Sequence, residues 1–224
     1  MTVVTFQRAR SDEQREIRRQ AILDTAAAMI AEMPVKQVSL NELSRRVGLA
    51  KSNVLRYFES REEILLELLD RAWRHWTADL RARPAGRSAP GAPVRHRADD
   101  LAALLTRSLV ERPLLCELLS AQVGVLEHNV SPDIVARYKK SSLDNLGELI
   151  ALVRERLPEL DDRTPGFCAQ TIIVIGAIWT HAHPSESMLA AYRFDDSLTA
   201  HCVEFGRDLQ DMLSTLLAGT LSPK

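Results

Sequence analysis

The densest group of potential binding side chains in the sequence is a short polar stretch near residue 50. It comprises, in order, Lys51, Ser52, Asn53, Arg56 and Tyr57. Ammonium, guanidinium, amide and hydroxyl groups can reach phosphates and base edges from a helix that lies in the major groove of DNA. In an arbitrary protein the same residue types more often form a solvated helix face. The elements around the stretch therefore decide between the two interpretations.

Helix-boundary signals surround this stretch. Ser39 is predicted to cap a short helix that runs to Val47, with Glu42 as the returning half of a capping box. Gly48 ends that helix, and a second short helix is predicted over residues 50–57. Because two helices this short bury little surface alone, they must pack on longer neighbours.

Longer helices are predicted on both sides of this pair. The first runs from about Asp12 to Glu32 and is ended by Pro34. A fourth begins after Ser60, which is well placed to cap it. Both carry apolar stripes at spacings of three and four residues, as amphipathic helices do. The residues predicted to anchor the second short helix to the resulting core are Leu49, Val54 and Phe58.

The segment from about Ile22 to Leu69 resembles the helix-turn-helix of the TetR-like (TetR/AcrR) family of bacterial transcriptional regulators. The positions that match the family's turn glycine, recognition-helix lysine, aromatic residue, helix-four cap and phosphate-contacting basic residue are Gly48, Lys51, Phe58, Ser60 and Arg61. The resemblance implies a DNA-binding domain followed by a helical domain.

Three positions depart from the family's pattern. Ala50 stands where a capping serine is usual, which forgoes an N-cap worth about 1 kcal/mol. Leu55 replaces a frequent phosphate-binding tyrosine, and Tyr57 replaces a frequent histidine. We therefore expect the phosphate contacts to differ in detail from those of the family.

The residues predicted to contact DNA are polar or basic and lie in or beside the helix-turn-helix. They are Ser39, Lys51, Ser52, Asn53, Arg56, Tyr57 and Arg61. Four other arginines either touch the flanking backbone or are ordinary surface charges: Arg18, Arg19, Arg45 and Arg46. The whole chain has a net charge of -1, but residues 1–60 are net positive and the remainder is net negative. This asymmetry favours a DNA-reading end on a less basic body.

The rest of the chain is predicted to be helical, which makes the protein all-α with about nine helices. Leu, Ala, Arg and Glu dominate the sequence and β-type alternation is nearly absent. Residues 83–97, rich in Pro, Gly and Ala, are predicted to form a flexible connection. Five further helices are expected near residues 98–110, 113–129, 132–156, 165–182 and 196–218. We expect two domains: a DNA-binding domain over 1–60, helical from residue 12, and a dimerisation and effector domain over 61–224.

Composition restricts the other classes of function. The three cysteines, Cys116, Cys168 and Cys202, are far apart and are expected to be buried free thiols, and no metal site or cofactor is predicted. The most hydrophobic run, residues 171–179, is too short to cross a bilayer, and the chain start has no apolar leader. We therefore expect a cytoplasmic protein with no membrane partner. No catalytic motif is visible, and so no catalytic residue is predicted.

The last two predicted helices have the features of a subunit interface. The final helix has apolar residues at alternating spacings of four and three, and the helix before it is apolar nearly all round. We expect a four-helix interface across a two-fold axis, with internal core as the alternative. Such a homodimer would hold two recognition helices about 34 Å apart on a palindromic operator. The predicted interface residues are Ile172, Ile175, Gly176, Phe205, Leu209, Met212 and Leu216.

The resemblance further implies a small-molecule effector held in the second domain and, usually, repression of transcription. Large or polar residues on otherwise apolar helices are candidates to line the cavity, although each also suits plain packing: Trp76, Leu105, Leu119, Gln122, Phe167, Gln170 and Trp179. Their apolar character favours a hydrophobic effector. The alternative is a ligand-independent DNA-binding architectural or activator protein, for which a more basic body would be expected.

Overall fold

The computed structural model describes residues 3–84 and 91–222, and every regular element in these ranges is helical. The α-helices of the described residues are α1 (Val3–Glu32), α2 (Leu40–Val47), α3 (Lys51–Val54), α4 (Arg61–Ala82), α5 (Val94–Val110), α6 (Pro113–Ala121), α7 (Pro132–Arg156), α8 (Thr164–Ala182), α9 (Glu186–Phe194) and α10 (Phe205–Leu221). Short 3-10 segments occur at Val35–Gln37, Pro158–Arg163 and Asp196–His201, and a π-helical turn at Gln122–Leu126. The predicted all-α fold is confirmed.

The C-terminal helices differ from the prediction in number and in position. Helix α9, whose N-cap Ser185 accepts a hydrogen bond from Met188 N, lies where no element was expected. Helix α10 begins at Phe205 rather than near residue 196. Its start is fixed by Glu204, whose carboxylate accepts hydrogen bonds from Gly206 N and Arg207 N at 3.0 and 2.6 Å.

The predicted flexible connection is shorter than expected at its C-terminal end. Helix α5 already begins at Val94, directly after Pro93, so the last residues of the expected connection are helical. Residues 85–90 of this connection lie outside the described residues.

The chain forms two compact units, and the first contains the helix-turn-helix. It comprises residues 3–69 together with residues 121–138, a segment that sequence analysis placed in the second domain. Its core is built from the inner faces of α1, α2, α3 and the start of α4. The buried side chains of this core include Ile22, Leu23, Ala26, Met29, Leu43, Val54, Phe58, Ile64 and Leu65.

Caps define the short helices of the first unit. Ser39 Oγ accepts a hydrogen bond from Glu42 N at 3.2 Å, as predicted for an N-cap. Gly48 ends α2 with φ of 72°, a left-handed conformation in which a side chain would be strained. The expected reciprocal bond of a capping box is wrong at Glu42, because its carboxylate accepts from Arg45 and Arg46 instead.

A cap related to the capping box, with its return bond displaced by one residue, occurs at the start of α4. Ser60 Oγ accepts from Glu63 N at 3.1 Å, and the Glu63 carboxylate accepts from Glu59 N at 2.6 Å. The segment 121–138 is bound at the same place, since Arg137 donates to Glu63 at 2.7 Å and Ser131 N donates to Glu59 at 2.6 Å. These contacts attach the α6–α7 connection to the rest of the first unit.

The second unit comprises residues 70–120 and 139–222, and α10 packs on α5 and α8 within it. Trp76 Nε1 donates to Ser108 Oγ at 2.8 Å in its interior. Helix α8 lies close to α6 at Gly176: a Cβ on this glycine would lie 3.2 Å from Leu119 O and from Ser120 Cα. A side chain at this position would therefore require the backbone of α6 to move by a few tenths of an ångström.

The three cysteines differ in burial, and one expectation about them is corrected. Cys116 and Cys168 are buried and free, and burial raises the pKa of each thiol to about 12. Cys202 is exposed rather than buried, because it lies in the open connection between α9 and α10. In the described ranges, no group of three or more His, Cys, Asp or Glu side chains is placed to hold a metal ion. The helices found there are too short or too polar to span a bilayer.

Candidate nucleic-acid interface

The predicted recognition helix is a single α-helical turn that tightens before it ends. α3 covers Lys51–Val54, whereas the sequence predicted a helix over residues 50–57. Hydrogen bonds from Arg56 N to Asn53 O at 3.2 Å and from Tyr57 N to Val54 O at 2.9 Å continue the coil in a narrower form. The turn therefore holds Arg56 and Tyr57 in fixed positions directly after α3.

The two faces of α3 have opposite environments. Lys51, Ser52 and Asn53 are exposed, while Val54 and Phe58 are buried in the core of the first unit. Ala50 gives no side-chain cap, as its type predicts. The polar side chains predicted to reach DNA thus project from a helix whose opposite face is anchored.

Arg19 of α1 fixes the end of this turn and is not a free surface charge. Its guanidinium donates to Tyr57 O at 2.6 Å, lies over the Phe58 ring at 4.2 Å from the centroid, and pairs with Glu67 of α4. Only 22% of its side chain is exposed. Arg19 therefore joins α1, the turn after α3 and α4.

Arg61, the residue that the resemblance assigned to phosphate, is engaged inside the protein. Its guanidinium donates to Val38 O at 2.9 Å and pairs with Glu62 at 2.8 Å, and 21% of its side chain is exposed. Ser39 is likewise occupied as the cap of α2. In this conformation Arg61 positions α2 and α4, whereas Ser39 caps α2 as an acceptor and keeps the donor of its exposed hydroxyl.

Arg45 and Arg46 are ion-paired on the surface of α2. Hydrogen bonds from Arg45 and from Arg46 lower the pKa of the Glu42 carboxyl to about 2. Arg46 also contacts Glu32 of α1 at 2.6 Å. These pairs neutralise the basic charge of α2, so α2 contributes little positive potential to the interface.

A cleft beside α3 is lined mainly by basic side chains. It has a volume of about 300 Å³, and we call it the arginine cleft; its residues are Gln14, Arg15, Arg18, Arg56 and Tyr57. It combines the predicted residues Arg56 and Tyr57 with three residues of α1. The sequence left Arg18 open between a contact to the flanking DNA backbone and an ordinary surface charge. Gln14 and Arg15 were not predicted. The available signal was the spacing of Arg15 and Arg18, which places them on one face of α1.

The predicted interface residues divide into two groups in the second unit. Ile175, Gly176, Phe205 and Leu209 are buried within their own chain, so they have almost no surface left for a partner to cover. This burial favours the alternative of an internal core, because their stripe packs against neighbouring helices of the same unit; their place in a dimer interface stays a prediction. Ile172, Met212 and Leu216 remain accessible, and Ile173, which was not predicted, is 70% exposed.

The predicted effector residues are not gathered at one surface. Trp76, Leu105 and Phe167 are buried in the second unit, and Trp179 and Leu119 are nearly so. Trp76 and Trp179 already donate their ring N–H groups, to Ser108 Oγ and to Glu117 at 2.8 Å. Gln170 is exposed, and Gln122 belongs to the first unit, where its amide donates to Glu127 at 2.9 Å.

Three buried polar atoms of the second unit form no hydrogen bond with any described residue: Glu159 Oε2 and two atoms on α-helices. These two are Trp73 Nε1 on α4 and Thr106 Oγ1 on α5. Buried donors are paired in most native structures, so such exceptions require an explanation. Neither residue was singled out from the sequence, because both resemble ordinary core positions.

Two family models match the chain and together cover nearly all of it. The model described as "Bacterial regulatory proteins, tetR family" matches residues 22–68. The model described as "Tetracyclin repressor-like, C-terminal domain" matches residues 70–224. A search of curated proteins found no match.

Solved structures with a similar fold cover most of this chain. A TetR transcriptional regulator from Rhodococcus sp. RHA1 has a TM-score of 0.58 at 13% identity, covering 93% of this chain and 97% of its own. A TetR-family regulator from Shewanella sp. PV-4 has a TM-score of 0.53 at 14% identity, covering 92% and 99%. The fatty acid degradation regulator FadR from Bacillus halodurans has a TM-score of 0.52 at 16% identity, covering 92% and 97%. At these identities the likeness concerns the fold alone.

Proposed function

This chain belongs to the TetR family of bacterial regulatory proteins, and on that premise we propose that it is a transcriptional repressor that binds a palindromic operator as a homodimer and is released by a small hydrophobic effector. The observation that carries the DNA-binding part is the position of Lys51, Ser52 and Asn53 on the exposed face of an anchored α3. An amide and an ammonium group at this place suit base edges and phosphates of the major groove.

Dimerisation is supported by apolar surface that remains on α8 and α10. Ile173 is 70% exposed and Met212 is 41% exposed, while Ile172 and Leu216 are half-buried. Adjacent helices with exposed apolar residues of this size are suited to a self-complementary contact across a two-fold axis. A dimer of this kind presents two copies of α3 to one duplex, which is why a palindrome is expected.

DNA binding is tested with duplexes selected from a random pool by the wild-type protein. The double variant Lys51→Ala/Asn53→Ala should lose most of its preference for the selected duplex over a mixed-sequence duplex, since each lost base contact costs about 1 to 3 kcal/mol of discrimination. The control Arg107→Ala/Arg154→Ala changes two exposed arginines of the second unit and should keep the wild-type preference. Selection that recovers no preferred sequence would refute the proposed function.

The effector part is supported by the unpaired Trp73 Nε1 and Thr106 Oγ1, two hydrogen-bonding groups in the interior of the second unit that a guest could pair with. A hydrophobic effector should raise the melting temperature progressively with its concentration, which corresponds to about 2.7 kcal/mol of stabilisation at one hundred times its Kd. It should also release the protein from the selected duplex. A broad compound library without any such rise would favour the alternative, a ligand-independent DNA-binding protein.

A further inference from the structure

The arginine cleft holds positive charge that no carboxylate of the described residues neutralises through an ion pair. The residues that line it are three arginines, one glutamine and one tyrosine, and none of them carries a carboxylate. Other arginines of the first unit are paired: Arg19 with Glu67, Arg46 with Glu42 and Glu32, and Arg61 with Glu62. Arg15, Arg18 and Arg56 form no ion pair with any described residue.

Like charges held near one another repel, and the repulsion is relieved when an anion enters between them. Each described side chain of the cleft has a hydrogen-bond donor: guanidinium groups from Arg15, Arg18 and Arg56, an amide from Gln14 and a phenol from Tyr57. Guanidinium groups match the oxygens of a phosphate especially well, because their donors are arranged in a planar fork. The chemistry of the cleft therefore fits a phosphate group.

The wall of the cleft is held in place before any ligand arrives. Arg19, the neighbour of Arg18 in sequence, bonds the Tyr57 carbonyl at 2.6 Å and so ties the turn that carries Arg56 and Tyr57 to α1. Because Arg56 and Tyr57 directly follow α3, an anion in the cleft lies next to the C-terminal end of the recognition helix. A duplex read by α3 carries phosphates along both edges of the groove that this helix enters.

We propose that the arginine cleft binds a phosphodiester group of the DNA backbone beside the groove that α3 enters, with Arg15, Arg18 and Arg56 as its ligands. The inference rests on the proposed DNA-binding function and assigns Arg56, which was predicted only to contact DNA, to the backbone rather than to a base. Contacts of this kind position a protein on the duplex and carry no sequence information of their own.

The double variant Arg15→Gln/Arg18→Gln tests the assignment by its salt dependence. Affinity is measured at several salt concentrations for two probes, a mixed-sequence duplex and the duplex recovered by selection. Each phosphate contact contributes about 0.9 to the slope of log K against log salt, so a dimer that loses one contact per subunit should lose about 2. Affinity at low salt should fall about tenfold or more for both probes, and their ratio should stay unchanged.

Two control variants separate charge from position. Arg107→Gln/Arg154→Gln removes the same charge from exposed positions of the second unit and should leave the slope near the wild-type value. Arg15→Lys/Arg18→Lys keeps the charge and should recover most of the slope, which also shows that α1 tolerates substitution there. Circular dichroism of each variant checks that the helices are retained.

The possible results distinguish the cleft from the proposed function. An unchanged slope, in a protein whose wild type still prefers the selected duplex, refutes the cleft and leaves the proposed function intact. A loss confined to the selected duplex assigns the cleft to base reading and also refutes the proposal. A wild-type protein that prefers no duplex refutes the proposed function together with the cleft.

Discussion

Arg18 and Arg19 are neighbours on α1 with identical side chains and different environments. Arg18 lines the arginine cleft, whereas Arg19 is bonded to Tyr57 O, Phe58 and Glu67. A rotation of one residue around the helix, about 100°, is enough to separate the two roles. At this scale the chain uses one residue type both to build the interface and to offer charge to a partner.

Replacing Arg19 with alanine should destabilise the first unit. The variant loses a charged hydrogen bond to a backbone carbonyl, a cation–π contact and a partly screened ion pair, together about 1 to 3 kcal/mol of the free energy of unfolding. Urea denaturation followed by circular dichroism measures the change. Arg18→Ala is the matched control and should unfold as the wild type does, because Arg18 is exposed. Equal midpoints for the two variants would contradict the role of Arg19.

The residues of the candidate site were partly predictable from type and spacing. Lys51, Ser52 and Asn53 were expected to project outward, and they are exposed, because the apolar residues beside them defined the buried face of α3. The roles of Arg19 and Arg61 were not predictable. The type of a basic residue shows neither which carbonyl nor which carboxylate the fold brings to it.

Among the helices, α8 depends most on a close approach. The contact at Gly176 is tight, since a Cβ there would lie 3.2 Å from two backbone atoms of α6. Gly147 of α7 is also inside a helix, but a Cβ there would meet nothing within 4 Å. The two glycines thus offer a matched comparison of packing against helix propensity.

Gly176→Val should destabilise the second unit by about 1 to 3 kcal/mol, because backbone atoms of α6 must move to admit the side chain. Gly147→Val should be neutral or slightly stabilising, since glycine is the poorer helix former of the two. Thermal unfolding of both variants measures the difference. A Gly176→Val protein as stable as the Gly147→Val protein would show that α6 and α8 are not closely packed at this point.

The helical class and most helix starts were predictable, and the limits of prediction have specific causes. Proline or a capping residue marked the starts of α2, α4, α6 and α7, and these were placed correctly to within a few residues. Helix α9 was not predicted from the sequence. None of its residues is buried, so it lacks the core-facing apolar stripe by which the other helices were recognised. The stripe on α10 was visible, but periodicity does not say whether the covering helix belongs to the same chain.

At the scale of the whole molecule, the apolar surface on α8 and α10 leads to a prediction about assembly. Ile173→Asp/Met212→Asp should shift the protein from dimer to monomer in analytical ultracentrifugation, because four charges per dimer would be buried in the contact. Leu209 is unsuitable for this purpose, since its side chain is fully buried in its own chain.

The matched control for assembly changes exposed apolar residues on other elements. Val123→Asp/Leu143→Asp substitutes side chains that are 71% and 58% exposed and lie outside α8 and α10. This variant should remain dimeric. A dimer that survives the Ile173 and Met212 changes would mean that another surface joins the subunits.

The short length of α3 limits the number of base pairs that one subunit can contact. Four helical residues extend about 6 Å along the helix axis. Neighbouring base pairs are about 3.4 Å apart, so α3 spans roughly two base pairs. A sequence of two base pairs occurs by chance throughout any chromosome. The specificity of the operator must then arise from two such contacts at a fixed spacing. The bending and the groove width of the DNA between them add to it.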